Sequence, residues 1–120
     1  MDSRKILFLL RHPPYEGTLA LETIDTILVA GVFDQTVSVL FRDDGVFQLL
    51  DGQTGRLLGG RSINKVLGAL PEYGIERLFV CSRSLAERNL QAGELALPVT
   101  ELDEAAQREL IADQHIVMND

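Results

Sequence analysis

RKILFLLRHPPYEGTLALETIDTILVAGVFDQTVSVLF, residues 4–41, contains three segments of different hydrophobic period. Ile6-Leu7-Phe8-Leu9-Leu10 is a continuous apolar run, preceded by Arg4-Lys5 and closed by His12-Pro13-Pro14. A run this short without alternation reads as a strand buried on both faces, the pattern of a central strand in a parallel sheet. From Leu19 through Phe33 the apolar Leu21, Ile24, Ile27, Leu28 and Val32 keep helical spacing, with Glu22 and Asp25 on other faces. Thr36-Val37-Ser38-Val39-Leu40-Phe41 is rich in β-branched residues and stops at Asp43-Asp44-Gly45, so it reads as a second strand. Strand, helix and strand in succession predict a crossover unit of a parallel sheet.

The rest of the chain repeats that alternation. Val46 to Leu50 reads as a short helical turn, and Asp51-Gly52-Gln53-Thr54-Gly55 with Gly59-Gly60 as a surface loop. Ser62 is expected to cap a helix running to about Leu70, with Pro71 near its end. Ile75 to Cys81 reads as a third strand, Ser84 to Leu90 as a short helix, and Pro98-Val99-Thr100 as a brief fourth strand. Asp103 is expected to cap a helix through about Ala112, and His115 to Met118 to form a fifth strand. The expected fold is α/β: a three-layer single domain over residues 1–120, with a mostly parallel, about five-stranded sheet flanked by helices.

Composition narrows the class of function. At 120 residues the chain suffices for one domain burying about two-thirds of its unfolded surface. Its 46% hydrophobic and 24% charged residues are ordinary globular usage. A formal net charge of -7 with scattered basic residues argues against direct binding of nucleic acid, which depends on clustered Lys and Arg. One cysteine, Cys81, leaves no intrachain disulfide, which points to a reducing compartment. The run Ile6–Leu10 is too short to cross a bilayer and carries no cleavage site, so a cytoplasmic protein without membrane attachment is expected.

In parallel sheets the carboxyl ends of the strands share one edge, where reaction sites gather. The segments predicted there are Arg11-His12-Pro13, Asp43-Asp44-Gly45 and Cys81-Ser82-Arg83. Cys81 is the candidate nucleophile: a thiol where a strand yields to a helix has its thiolate favoured by free backbone N–H groups, and Arg83 would add to this. The plainer reading, a small buried residue finishing a strand, carries more weight from sequence alone. Asp43-Asp44 is read as a turn, with Gly45 in an unusual backbone angle and an Asp capping the next turn, rather than as a catalytic carboxylate pair. Val46, Phe47, Leu49 and Leu50 are too apolar for an exposed loop. They either fold back into the domain or form a subunit contact, and the sequence favours neither.

His12 stands where a proton shuttle would, but without a visible partner it reads as a loop histidine, and His115 still more so. No HExxH, CxxC or ligand cluster suggests a metal site, and no phosphate loop suggests a nucleotide. No cofactor is expected. The missing phosphate loop also weakens a small-ligand module of flavodoxin-like outline.

Residues 4–53 from "RKILFLL" to "FQLLDGQ", then "YGIERLFVCSRSLAERNL" and "QHIVMND", resemble the DsrE/DsrF-like proteins, specifically the TusC (DsrF) branch. The specific stretches are Pro13-Pro14-Tyr15, Asp44 through Leu50, and Ser84-Leu85 with Arg88 after Cys81. The resemblance implies a subunit of a heterohexamer holding two copies each of TusB-, TusC- and TusD-like chains. Such a complex passes persulfide sulfur from TusA to TusE for 2-thiouridine formation at the tRNA wobble position. In the related Dsr system of sulfur oxidation the counterpart engages DsrC. The persulfide cysteine is associated chiefly with the TusD/DsrE-type chain, so this chain is expected to be a structural, non-catalytic subunit of a sulfurtransferase complex. The alternatives are a DsrF-like subunit in dissimilatory sulfur oxidation and a persulfide carrier using Cys81. Isolated, the chain is expected to be able to self-associate, because a surface made for partners leaves apolar area exposed.

Overall fold

Five strands form one sheet: β1 (Lys5–Leu10), β2 (Thr36–Phe41), β3 (Arg77–Cys81), β4 (Thr100–Leu102) and β5 (Ile116–Asn119). Their order is β4-β3-β2-β1-β5, and every neighbouring pair is parallel. The computed structural model describes residues 4–13, 19–33, 35–50, 63–95 and 97–119. The expected glycine loop at 51–60 and the cap at Ser62 lie outside the described residues, as do Pro14 and Tyr15. Among the described residues four α-helices alternate with the strands: α1 (Leu19–Val32), α2 (Ile63–Gly68), α3 (Ser82–Glu87) and α4 (Glu104–Ala112).

The order follows from handedness. From β1 to β4 the chain steps in one direction, and the core against this face gathers Ile24, Ile27, Leu67 and Leu85 from α1, α2 and α3. To reach β5, beside β1 at the far edge, the chain must reverse direction. A right-handed crossover then places α4 on the opposite face. There Leu110 packs with Leu7, Leu9 and Leu40 in a second, smaller core. Phe8, Leu10, Val39 and Phe41 belong to the first core and Leu7, Leu9 and Leu40 to the second. Both faces of β1 are thus buried, which is why its sequence does not alternate.

Several boundaries differ from the sequence expectation. The helix expected to reach Leu70 stops at Gly68, and Leu70–Tyr73 forms a separate 3-10 turn with Pro71 in its first positions. Proline has no N–H to continue the ladder but fits a first turn. Gly74, at φ 80, closes that turn with its N–H donating to the Pro71 carbonyl. Ile75, expected to open β3, instead packs beneath α1, where a Cβ on Gly31 would come within 2.8 Å of Ile75 Cδ1. The third helix begins at Ser82 rather than Ser84, capped by Cys81, and ends before Asn89, which adopts φ 54. β4 lies two residues later than expected, because pairing of Phe79 with Thr100 and Cys81 with Leu102 fixes its register.

The turn after β2 also differs. Asp43–Leu49 is a 3-10 helix, and its left-handed residue is Asp43 at φ 49 rather than Gly45. No Asp caps it; Arg42 stands at the cap position without a side-chain bond. Gly45 is needed for close approach, since a Cβ there would lie 1.8 Å from the Leu10 carbonyl oxygen. Val46 and Leu49 are fully buried in this chain's own core, whereas Phe47 and Leu50 remain half-buried. Only the latter two of the four interface candidates therefore keep surface to offer. Asp103 caps α4 as expected, its carboxylate accepting from the Ala106 N–H at 2.8 Å. Among the described residues no helix is long and apolar enough to cross a membrane.

Candidate functional site at the carboxyl edge

β1, β2, β3 and β4 all end on the same edge, and the segments after them meet there. Cys81 closes β3 and caps α3, its sulfur accepting from the Ser84 N–H at 3.4 Å. Ser84 is itself buried, and its Oγ accepts from the Asp43 N–H at 2.9 Å. That bond ties the end of β2 to the start of α3 and holds Asp43 in its left-handed conformation. The Ser84 hydroxyl proton remains available to the sulfur.

Two opposed effects act on the thiol. Burial pushes its pKa up, because a thiolate loses hydration. Hydrogen bonds from the Ser84 and Gln107 side chains and the backbone N–H groups of Ser84 and Arg83 push it down. The bonds prevail, and Cys81 lies below the ordinary thiol value. Gln107 reaches the sulfur from α4, is buried, and is oriented by donating its Nε2–H to the Leu102 carbonyl at 3.0 Å.

Arg83 is shared between the sulfur and two carboxylates. Its guanidinium is held by Glu104 at 2.8 Å and lies 3.7 Å from Glu87. The hydrogen bond to Glu104 and the charges of both carboxylates raise its pKa, and Arg83 in turn lowers that of Glu104. The Arg83 backbone N–H bonds to the sulfur, and its guanidinium charge also acts with Cys81, though less than with the two carboxylates. Cys81 opens onto a cavity of about 260 Å³ also lined by Arg42, Arg83, Ser84, Glu104 and Gln107.

A second cavity of about 500 Å³ lies alongside, lined by Arg11, His12, Asp43 and Arg88, with Asp43 common to both. The two adjacent aspartates diverge. Asp43 pairs with Arg11 at 2.9 Å and Asp44 with Arg88 at 3.0 Å, so each carboxylate is matched to a different cation. This geometry suits structural pairing rather than a shared-proton carboxylate dyad. Arg88 also donates to the Ser84 carbonyl at 3.1 Å and lies 5.9 Å from the Phe47 ring centre, covering part of that ring.

The three predicted edge segments therefore do converge. His12 lines the second cavity, its carbonyl accepting from Gln48 Nε2 at 2.9 Å. His115 sits at the other end of the sheet, where its Nδ1 accepts from the Lys5 N–H at 2.8 Å and joins β5 to β1. Among the described residues no group of three or more His, Cys, Asp or Glu could hold a metal ion. Sequence reasoning missed Gln107 and Arg42. Gln107 lies 26 positions from Cys81 on a helix of the opposite layer, and nothing local marks it out. What the edge can do chemically is hold a thiolate in a small, polar cavity.

Comparison with known proteins places the chain in a family. The sequence model described as the DsrE/DsrF-like family matches residues 4–119. The chain is 42% identical over 109 residues to a protein named TusC homolog from Pseudomonas aeruginosa, covering 91% of this chain and 92% of that one. It is 36% identical over 92 residues to the intracellular sulfur oxidation protein DsrF of Allochromatium vinosum, covering 77% and 68%. The crystal structure of the ychN protein from E. coli superimposes with a TM-score of 0.84 over 98% of this chain and 99% of that one, at 15% identity. At that identity the likeness speaks for the fold alone.

Proposed function

Since the chain belongs to the DsrE/DsrF-like family, we propose that it works as the TusC-like subunit of a sulfur-relay complex with TusB- and TusD-like chains. The complex takes persulfide sulfur from a TusA-like donor and delivers it to a TusE- or DsrC-like acceptor. The observation that carries this reading is the 42% identity, over nine-tenths of both chains, to a TusC homolog. The delivered sulfur serves 2-thiouridine formation at the tRNA wobble position, and the RNA is handled by other proteins, as the net charge of -7 favours. The alternative destination is dissimilatory sulfur oxidation, for which the likeness to DsrF speaks. The setting is the cytoplasm, and residues 1–120 act as one domain.

In this reading the chain is mainly a structural partner. A second reading makes Cys81 a carrier, and its lowered pKa at a polar cavity favours it. The Cys81 thiolate would attack the terminal sulfur of a donor persulfide, R–S–SH. A new Cys81 S–S bond forms, the donor S–S bond breaks, and R–S⁻ leaves without net oxidation.

The test is intact mass spectrometry of the assembled complex after incubation with a cysteine desulfurase, cysteine and the donor. A structural subunit shows no added sulfur while the TusD-like chain gains it, and relay continues with Cys81→Ser. A gain of one sulfur on this chain that Cys81→Ser removes makes it a carrier. Elution of this chain apart from co-expressed TusB- and TusD-like chains overturns the subunit reading itself.

A further inference from the structure

The arginines around the carboxyl edge are not equally matched. Arg11 pairs with Asp43, Arg88 with Asp44, and Arg83 with Glu104 and Glu87. The side chains of Arg42 and Arg108 form no hydrogen bond or ion pair with any described residue, and the Arg42 Nε–H is closed off from solvent without an acceptor. A guanidinium keeps its charge and its five donors, so a buried donor left unmade is costly, and the group that best meets it is an anion.

Arg42 and Arg108 line one cavity of about 120 Å³, together with Glu104, Gln107 and Ile111. Glu104 does not neutralise them there. Its carboxylate bonds to Arg83 at 2.8 Å, and the charges of Arg108 and Arg42 reach it only from beyond ion-pair distance. The cavity adjoins that of Cys81, and Arg42, Glu104 and Gln107 line both. Around the two stand Arg42, Arg83 and Arg108 against Glu87 and Glu104, while Asp43 is engaged by Arg11. The local balance is therefore positive in a chain whose formal net charge is -7.

We propose that Arg42 and Arg108 hold a small tetrahedral oxyanion beside Cys81, and that the ion which uses the site is thiosulfate, with its outer sulfur toward the thiolate. The size of the cavity suits a single oxyanion group rather than a nucleotide, and guanidinium forks match such oxygens. The neighbouring thiolate selects a sulfur-bearing member of that class. Cys81 S⁻ attacks the outer sulfur of S–SO₃²⁻. A Cys81 S–S bond forms, the S–S bond of thiosulfate breaks, and its electron pair leaves with sulfite. Cys81 is left as the persulfide anion with no other reactant needed. This transfer rests on the reading of Cys81 as a carrier, whereas the binding does not.

Binding is measured alone in the full Cys81→Ser chain, by following the Arg42 Nε–H resonance while sodium sulfate or thiosulfate is added at ionic strength matched with chloride. Both should shift it saturably. Arg108→Gln, at an exposed position, should weaken binding ~3-fold, and Arg42→Gln on the same background, followed by backbone amides of α4, at least ~10-fold. Transfer is measured in the Cys81 chain by intact mass and released sulfite. Thiosulfate should add one sulfur that Cys81→Ser abolishes and Arg42→Gln slows at least ~10-fold. No shift with either anion, or full affinity in both arginine variants, overturns the site. Binding of both anions without a gain of sulfur overturns the transfer from thiosulfate. If the protein donor then still loads Cys81 in the assembled complex, the carrier reading stands without thiosulfate. If it does not, that reading falls as well.

Discussion

Cys81 shows how a single side chain acquires character from residues far away in sequence. Its burial alone would make it an inert thiol, and the Ser84 and Gln107 hydrogen bonds reverse that. The sign fixes a prediction. A lowered thiol pKa means that the thiolate, the species that reacts, is populated from a lower pH than in an ordinary cysteine. The pH midpoint of alkylation by iodoacetamide should therefore lie below that of a free thiol. Ser84→Ala removes one of the lowering bonds and should move the midpoint up, slowing alkylation at pH 7. An unchanged midpoint in Ser84→Ala would assign the shift to the backbone N–H groups and Gln107. The candidate nucleophile and its place at a strand end were legible in the sequence. Its stabilising partners were not, because Gln107 reaches the sulfur only once α4 has packed against the sheet.

At the scale of the element, the 3-10 helix Asp43–Leu49 joins the ends of β1, β2 and α3. Its backbone approaches Leu10 so closely that only glycine fits at position 45. Gly45→Ala should destabilise the protein by about 3 kcal/mol or more, as overpacking against rigid backbone does. Urea unfolding followed by circular dichroism checks this, and a loss under about 1 kcal/mol would mean that the turn can shift away from β1. The sequence announced a turn with a special glycine here, but attributed the need to backbone angle. Local sequence cannot distinguish a glycine that must bend from one that must let another strand's carbonyl approach. The same limit applies to Val46 and Leu49, whose burial depends on what lies behind the turn.

At the scale of the whole molecule, the two sheet faces and two sheet edges are unequal. β1 is paired on both sides and buried on both faces, whereas β5 has one strand neighbour and all four of its residues exposed. Amide exchange should accordingly be slowest in β1 and β2 and much faster in β5, since edge strands open locally at lower free energy than the core. Protection of β5 equal to that of β1 in the isolated chain would overturn this and indicate that the edge is covered by self-association. Protection of β5 gained only on mixing with partners would place this edge in a subunit contact.

The sequence by itself determined the alternation of strands and helices, the parallel sheet, the meeting of three polar segments at its carboxyl edge, and the family resemblance. Each of these is carried by hydrophobic period, turn residues or local motif, which act between near neighbours in the chain. Only the tertiary structure decided that β5 lies beside β1, that Asp43 and Asp44 pair with different arginines, that Gln107 and Ser84 hold the sulfur, and that Val29, Val32 and Phe33 are left facing water. Those outcomes depend on which segments meet after the sheet has closed and α4 has crossed to its second face. No local pattern encodes that meeting, because it is set by the handedness of crossovers and the space remaining around the sheet.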